Sequence, residues 1–222
     1  MRGRRIVPVL LAALMAGCAS TPDAPWQSLA DAGQWRSVGA ATLDARWQVR
    51  EGELVLTGAG GGDIVSVGTW GNFELELEWR LPAGGNSGLF YRAVDASPIW
   101  TRAVEYQLLD DRAAEDRFVP SHRAAAVYDL VAPARDVLRP IGEYNQARIV
   151  ACGPRVEHWL NGVRVAHYDT DSDEWRRRVS ASKFAGQAEF AKARRGHLGL
   201  QDHGNAVYLR TMRIRALGPD CP

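Results

Sequence analysis

The chain has little of several things that would have placed it elsewhere. Its 222 residues hold only three cysteines, and Lys plus Arg (27) nearly balance Asp plus Glu (26), for a formal net charge of +1. Near-neutrality argues against nucleic acid, which demands a basic surface. The short runs Arg176-Arg177-Arg178 and Arg194-Arg195 read as solvated faces. Beyond the first twenty residues no apolar stretch is long enough to cross a membrane as a helix. The glycine run Gly58 to Gly62 lacks the following Lys-Ser/Thr and helix of a phosphate-binding loop, so no nucleotide site is read there. No spacing of the His-Glu-x-x-His kind fixes a metal site, and no internal repeat is present.

What is there begins with an export signal. Arg2, Arg4 and Arg5 form a basic region, and Ile6 to Met15 an apolar stretch too short for a membrane span. Leu14-Met15-Ala16-Gly17-Cys18 then places small residues before a Cys and resembles the bacterial lipoprotein signal, with Met15 where Leu is usual. On that reading residues 1–17 are removed, lipid on Cys18 is the only membrane anchor, and residues 18–25 form a tether. Ala19 stands where Asp would retain a lipoprotein in the inner membrane, which points to the periplasmic face of the outer membrane. Cleavage at an ordinary signal-peptidase site is the alternative. Cys152 and Cys221 then admit one pairing in an oxidising compartment, as a disulfide or as two buried thiols.

Residues 26–218 read as one all-β domain of about the size that buries a single core. The expected strands are Trp47–Val49, Glu53–Thr57, Phe73–Arg80, Ser87–Ala93, Val104–Leu109, Ala125–Leu130, Tyr144–Ala151, Arg155–Leu160, Val163–Tyr168, His197–Gln201 and Val207–Ala216. Regular short strands separated by turn residues suggest a sandwich or barrel. Phe73 to Arg80 alternates apolar and charged residues over eight positions, so its Glu74, Glu76 and Glu78 face solvent. Asn161-Gly162 is the dipeptide of a two-residue hairpin turn. Only Asp173–Arg178 and Ser182–Ala193, in one insertion near 173–193, suggest short helices.

The polar residues that suggest chemistry are few. Gly199-Leu200-Gln201-Asp202-His203-Gly204 sets an amide, a carboxylate and an imidazole between two glycines, a composition suited to a binding loop or to a polar hairpin. Glu105 and Gln107 lie two apart on one strand and so share a face, with Asp110 and Asp111 at its end. That face is either a ligand-binding surface or a solvated one. Asn86 sits in a glycine-rich turn and Arg92 on the strand after it. Tyr128 and Trp100 are either candidate stacking platforms for a ligand ring or core aromatics. Trp159 is expected in the core and His158 in a structural role, while His122 and His167 are too isolated to assign. Lys183 is either an ordinary surface lysine or a cation supplied to a site by the insertion.

Taken in order, Phe73-Glu74-Leu75-Glu76-Leu77-Glu78-Trp79-Arg80, Gly85-Asn86-Ser87-Gly88, Glu105-Tyr106-Gln107-Leu108-Leu109-Asp110, Tyr128-Asp129-Leu130, Gly142-Glu143-Tyr144-Asn145, His158-Trp159-Leu160-Asn161-Gly162, Ser182-Lys183-Phe184 and Gln201-Asp202-His203-Gly204 resemble the 3-keto-disaccharide hydrolase domain family. Tyr144 stands where that family usually has Trp. The resemblance implies a concanavalin/laminarinase-like jelly-roll sandwich acting on sugars whose C3 hydroxyl has been oxidised to a ketone. It also implies an upstream sugar 3-oxidoreductase to make them.

A ketone at C3 acidifies the C2 proton, and removal of that proton expels the glycosidic oxygen from C1; water added to the enone completes a net hydrolysis. Such chemistry needs a base at C2, an electrophile at O3 and an acid for the leaving oxygen. His203, Glu105 and Lys183 are the expected catalytic residues, with Asn86, Arg92, Gln107, Asp110, Tyr128, Gln201 and Asp202 binding substrate. A divalent ion on Glu105, Asp110, His122 and His203 is possible by residue type alone. Two other classes compete. A retaining glycosidase would need two carboxylates about 5 Å apart, and a non-catalytic carbohydrate-binding lipoprotein would show affinity without turnover.

Overall fold

The computed structural model describes residues 24–221, so the export signal and Cys18 lie outside the described residues. Thirteen strands run in chain order: β1 Gln27–Ser28, β2 Trp35–Ser37, β3 Trp47–Arg50, β4 Glu53–Leu56, β5 Ile64–Ser66, β6 Phe73–Arg80, β7 Asn86–Ala93, β8 Val104–Leu109, β9 Asn145–Cys152, β10 Arg155–Leu160, β11 Val163–Asp169, β12 His197–Leu200 and β13 Val207–Ala216. They form two antiparallel sheets. The larger has the order β11-β10-β9-β6-β13-β4-β3 with β1 beside β13, and the smaller has the order β2-β5-β12-β7-β8.

Alternation along each strand determines which side chains meet between the sheets. On β6, Phe73, Leu75, Leu77 and Trp79 point inward and are essentially inaccessible. They meet Leu89 and Tyr91 of β7 and Tyr106 and Leu108 of β8 in one continuous core. The outward glutamates of β6 are not bare: Glu74 pairs with Arg148 and Arg215, Glu76 with Arg213 and Glu78 with Arg210. These are cross-strand partners on β9 and β13, so the outer face of the larger sheet is a charge-matched ladder. Glu74 is buried by its neighbours, yet its two arginines hold its carboxyl below the usual range.

The outer face of the smaller sheet is treated differently. Phe90, Val65, Ile99 and Ala103 form a second apolar cluster there, roofed by the 94–103 segment. Beside it, the segment 115–131 lies along β8, with Tyr128 N–H donating to Glu105 O and Ala125 N–H to Gln107 O. That packing converts half of an outer sheet face into the floor of a cavity.

Several expectations need correction. Ala125–Leu130 forms turns and isolated bridges rather than a strand, because Ala125 and Asp129 both take positive φ and break the extended backbone. In the insertion only α1, Asp173–Ser180, is helical, capped by Ser172 accepting from Trp175 N–H. Residues 182–193 run as turns held by stacking of Phe184 on Phe190 and of Phe190 on Trp175, which in turn stacks on Tyr168. Trp159 lies on the outer face, donating to Glu157 with Arg148 over its ring. His158 takes the inward place, fully buried, bonded to Tyr91 Oη at 2.7 Å and Ala125 O at 3.0 Å. Burial pushes this imidazole down to about 4, so it is a neutral structural group. The short strands β1, β2 and β5 carried too few residues to show a period.

Cys152 and Cys221 form a disulfide, with Cα atoms 5.7 Å apart across 69 residues of sequence. It ties the end of β9 to the tail beyond β13.

Candidate active site

A cavity of about 210 Å³ opens on the outer face of the smaller sheet, lined by Asn86, Trp100, Glu105, Gln107, Asp116, Tyr128, Lys183, Gln201 and His203. Its floor is built from three adjacent strands. Asn86 begins β7, Glu105 and Gln107 project from β8, and Gln201 directly follows β12. Both of the first and third segments interlock there: Ser87 Oγ donates to Gln201 O and Gln201 N–H donates to Gly88 O. The walls come from the segments between strands, which supply Trp100, Asp116, Tyr128 and Lys183.

Glu105 is only 5% exposed. Burial is the main reason that its carboxyl is pushed up to about 8; Lys183 opposes the effect, and Asp63 and Asp116 reinforce it. With the Gln107 amide nitrogen turned toward acceptors, it donates to Glu105 Oε1 and to Ser87 O, both at 3.1 Å, and its oxygen lies 3.2 Å from the Asn86 amide. Glu105 is thereby fixed in position by an amide. Gln201 Oε1 is buried and has no hydrogen-bond partner among the described residues, an acceptor left for a ligand hydroxyl.

Lys183 is exposed as a residue, but its amine reaches inward. Nζ lies 4.1 Å from the Tyr128 ring centroid and 5.2 Å from those of Trp100 and Phe184. Desolvation lowers its proton affinity, against the pull of Glu105, Asp129 and Asp116. No hydrogen bond or ion pair engages Nζ among the described residues. The loop that carries it is clamped by Asp129, whose Oδ2 accepts from Lys183 N–H at 2.8 Å and whose Oδ1 lies 3.1 Å from His122 Nε2. His122 also stacks on Tyr128, centroids 4.4 Å apart, and lies 3.6 Å from Asp116.

His203 is exposed at the cavity rim, beyond the fold of Gln201 and Asp202. Of the other expected ligands, three are committed elsewhere. Asp202 accepts from the N–H groups of Gly60, Gly62 and Gly204, tying down the glycine run 58–62. Asp110 accepts from Gly84 and Arg112 N–H. Arg92 donates from Nε and Nη2 to Gly71 O at 3.0 and 2.9 Å. Tyr144 lies on the other sheet, under Arg80 and Arg210. The structure also brings in residues that sequence order concealed. Asp116 lines the cavity, Asp129 holds the lysine loop, and Asp63 accepts from Asp202 N–H. Asp63 is itself raised by burial. Among the described residues no group of three or more His, Cys, Asp or Glu side chains is placed to hold a metal ion.

Comparison with known proteins agrees with this architecture. The 3-keto-alpha-glucoside-1,2-lyase-like domain family matches residues 25–215. A 3-keto-disaccharide hydrolase of Bacteroides thetaiotaomicron is 30% identical over 216 residues, covering 82% of this chain and 74% of the relative. A Parabacteroides distasonis structure assigned by name to the glycosyl hydrolases superposes with a TM-score of 0.78 at 27% identity, covering 83% of this chain and 89% of that one. A family GH16 endo-beta-1,3(4)-glucanase shares the sandwich alone, at a TM-score of 0.51 and 12% identity over 91% of this chain and 97% of its own. The chain belongs to the 3-keto-alpha-glucoside-1,2-lyase-like domain family and is a carbohydrate-cleaving enzyme.

Proposed function

We propose that the protein cleaves 3-keto-glycosides by abstracting the C2 proton, eliminating the C1 oxygen and hydrating the resulting enone. One observation carries this reading: a buried carboxyl with raised proton affinity and an amine with lowered proton affinity share a cavity whose remaining polar lining is chiefly amides. Ionised Glu105, stripped of water, is a strong base toward the C2 proton. Lys183 withdraws charge from the C3 carbonyl as the enolate develops. His203, at the rim where the leaving sugar emerges, returns a proton to its oxygen. Trp100 and Tyr128 offer ring faces to the pyranose, and Asn86, Gln107 and Gln201 suit vicinal hydroxyls.

A retaining glycosidase on the β6 glutamates has no support, because each of those carboxylates is paired with arginine on the outer face of the larger sheet. The substrate's ketone calls for a partner oxidoreductase that oxidises a sugar C3 hydroxyl. For location, the sequence favours a lipidated Cys18 at the outer membrane, which labelling with a radioactive fatty acid and membrane fractionation test.

The test of function is incubation with a 3-keto-glucoside and its unoxidised parent in D2O, with and without EDTA. Cleavage of the keto form alone, with deuterium at C2 of re-protonated substrate or product, is expected. Cleavage of the parent would move the reaction to paired carboxylates, and protection without turnover would leave only a binding site. Sensitivity to EDTA would add a metal ion to the electrophile.

A further inference from the structure

We infer that Lys183 engages the substrate covalently, as an iminium at C3, with Glu105 serving both as the acid that forms it and as the base that uses it. The inference rests on the elimination reading above and specifies how the carbonyl is activated.

The geometry of the amine is the first argument. A lysine meant only as a fixed positive charge is ordinarily held by a carboxylate, which keeps it protonated. Lys183 Nζ instead faces three aromatic rings and engages no acceptor among the described residues. Aromatic faces orient an amine without tying up its lone pair. Asp129, which grips the lysine's own loop, is occupied by Lys183's backbone N–H and by His122, and so does not pair with the amine. The second argument is the neighbour. Glu105 lines the same cavity, held by Gln107. Both groups line one partly desolvated cavity, where a neutral amine and a neutral acid are favoured over a buried ion pair. A ketone entering that space meets a nucleophile and an acid in the forms that imine formation requires.

The steps balance. The Lys183 lone pair adds to C3, and a proton passes from nitrogen to the former carbonyl oxygen to give a carbinolamine. Glu105 protonates that hydroxyl, which leaves as water, and the C3=N iminium forms. Glu105, now a carboxylate, takes the C2 proton and generates an enamine. Its electrons form the C1=C2 bond through the conjugated iminium as the C1–O bond breaks, and the leaving oxygen takes a proton at the rim. Water then hydrolyses the iminium, restoring the C3 ketone and the free amine, and adds at C1. No oxidant or reductant enters. An iminium withdraws electrons more strongly than a hydrogen-bonded ketone, so the C2 proton becomes more acidic than a fixed cation would make it.

The chain carries only two lysines, Lys183 and Lys192, which makes the test clean. The enzyme is mixed with a 3-keto-glucoside and sodium cyanoborohydride, digested and mapped by mass spectrometry. The expected result is loss of activity with one reduced sugar on Lys183 and none on Lys192. Lys183→Arg, which keeps the charge and cannot form an imine, should lose about 10²-fold or more in kcat while its circular dichroism and Tm match the parent. Turnover by the parent enzyme with no adduct, an adduct confined to Lys192, or a folded Lys183→Arg variant that retains activity would each overturn the covalent step and leave elimination standing. Failure of the parent enzyme to cleave the keto substrate would instead overturn both. Trapping uses the unmodified enzyme, so a variant that does not fold does not remove the test.

Discussion

Gly88 has no side chain because Glu105 occupies the space: a Cβ at Gly88 would lie 2.0 Å from Glu105 Oε1 and 2.7 Å from its carboxyl carbon. The two residues are on paired strands, Gly88 opposite Gln107 and two places from Glu105 on the same face. Gly88→Ala should therefore push the carboxylate out of reach of C2 without unfolding the sandwich. Misplacement by about 1 Å costs about 10²-fold in rate, so kcat/KM for a 3-keto-glucoside should fall by that order. Circular dichroism should stay unchanged. A variant with unimpaired turnover would remove Glu105 from the reaction.

The raised proton affinity of Glu105 has consequences for both rate and stability. If Glu105 abstracts the proton directly, with no iminium formed first, its base form is scarce below about pH 8 and kcat/KM should rise with pH toward that value. Stability runs the other way. Between the ordinary carboxyl value of 4.5 and about 8, the folded chain keeps a proton that the unfolded chain releases. Stability is therefore lost as pH rises through that window. Glu105→Gln should abolish this slope, raising Tm over the parent by more at pH 8 than at pH 5, while lowering kcat by about 10²–10⁴-fold. Parallel melting scans and initial rates across that range check both halves. A parent and variant with the same pH dependence of Tm would show that Glu105 ionises freely.

The sheet strands were readable where alternation ran long enough. β6 and β13 are visible over eight and ten residues because one face is core and the other meets arginine. β2 and β5, at three residues each, hold their places through pairing with each other and with β12, information that no short window contains. In the site, Glu105 and Gln107 were placed on one face by period alone. Their burial was not legible, because the covering segment 115–131 is fixed by backbone turns at Ala125 and Asp129. Asp202 and Asp110 illustrate the converse. Each looked like a ligand by type and neighbourhood, and each accepts backbone N–H groups from glycine loops. Asp116, Asp129 and Lys183 are far apart in sequence and meet only in the folded chain.

The disulfide gives a prediction confined to stability. Cys152 and Cys221 close a loop of 69 residues, for which lost unfolded-chain entropy amounts to about 4 kcal/mol. Replacing both with Ala should lower Tm by about 10 °C for a domain of this size. The bond lies at the end of β9 in the larger sheet, and the cavity lies on the outer face of the smaller one. KM and kcat measured well below the transition should therefore match the parent. A loss of activity at that temperature would show that the tail beyond β13 reaches the site.

Asp129 offers a sharper division between structure and chemistry. It has a φ of +60°, a conformation in which Asn is tolerated and Ala is strained. Its two oxygens join His122 to the backbone of Lys183, so it is a positioning residue for the amine. Asp129→Ala should release the lysine loop and lower kcat by about tenfold or more, with a smaller change in KM, since Gln201, Asn86 and Gln107 keep their places. Asp129→Asn retains one acceptor oxygen and the backbone conformation, and should recover most of the lost rate. In the trapping experiment the Ala variant should yield less adduct on Lys183 per unit time, and the Asn variant nearly as much as the parent. Equal losses in the two variants would mean that the charge of Asp129, rather than its grip on the loop, governs the amine.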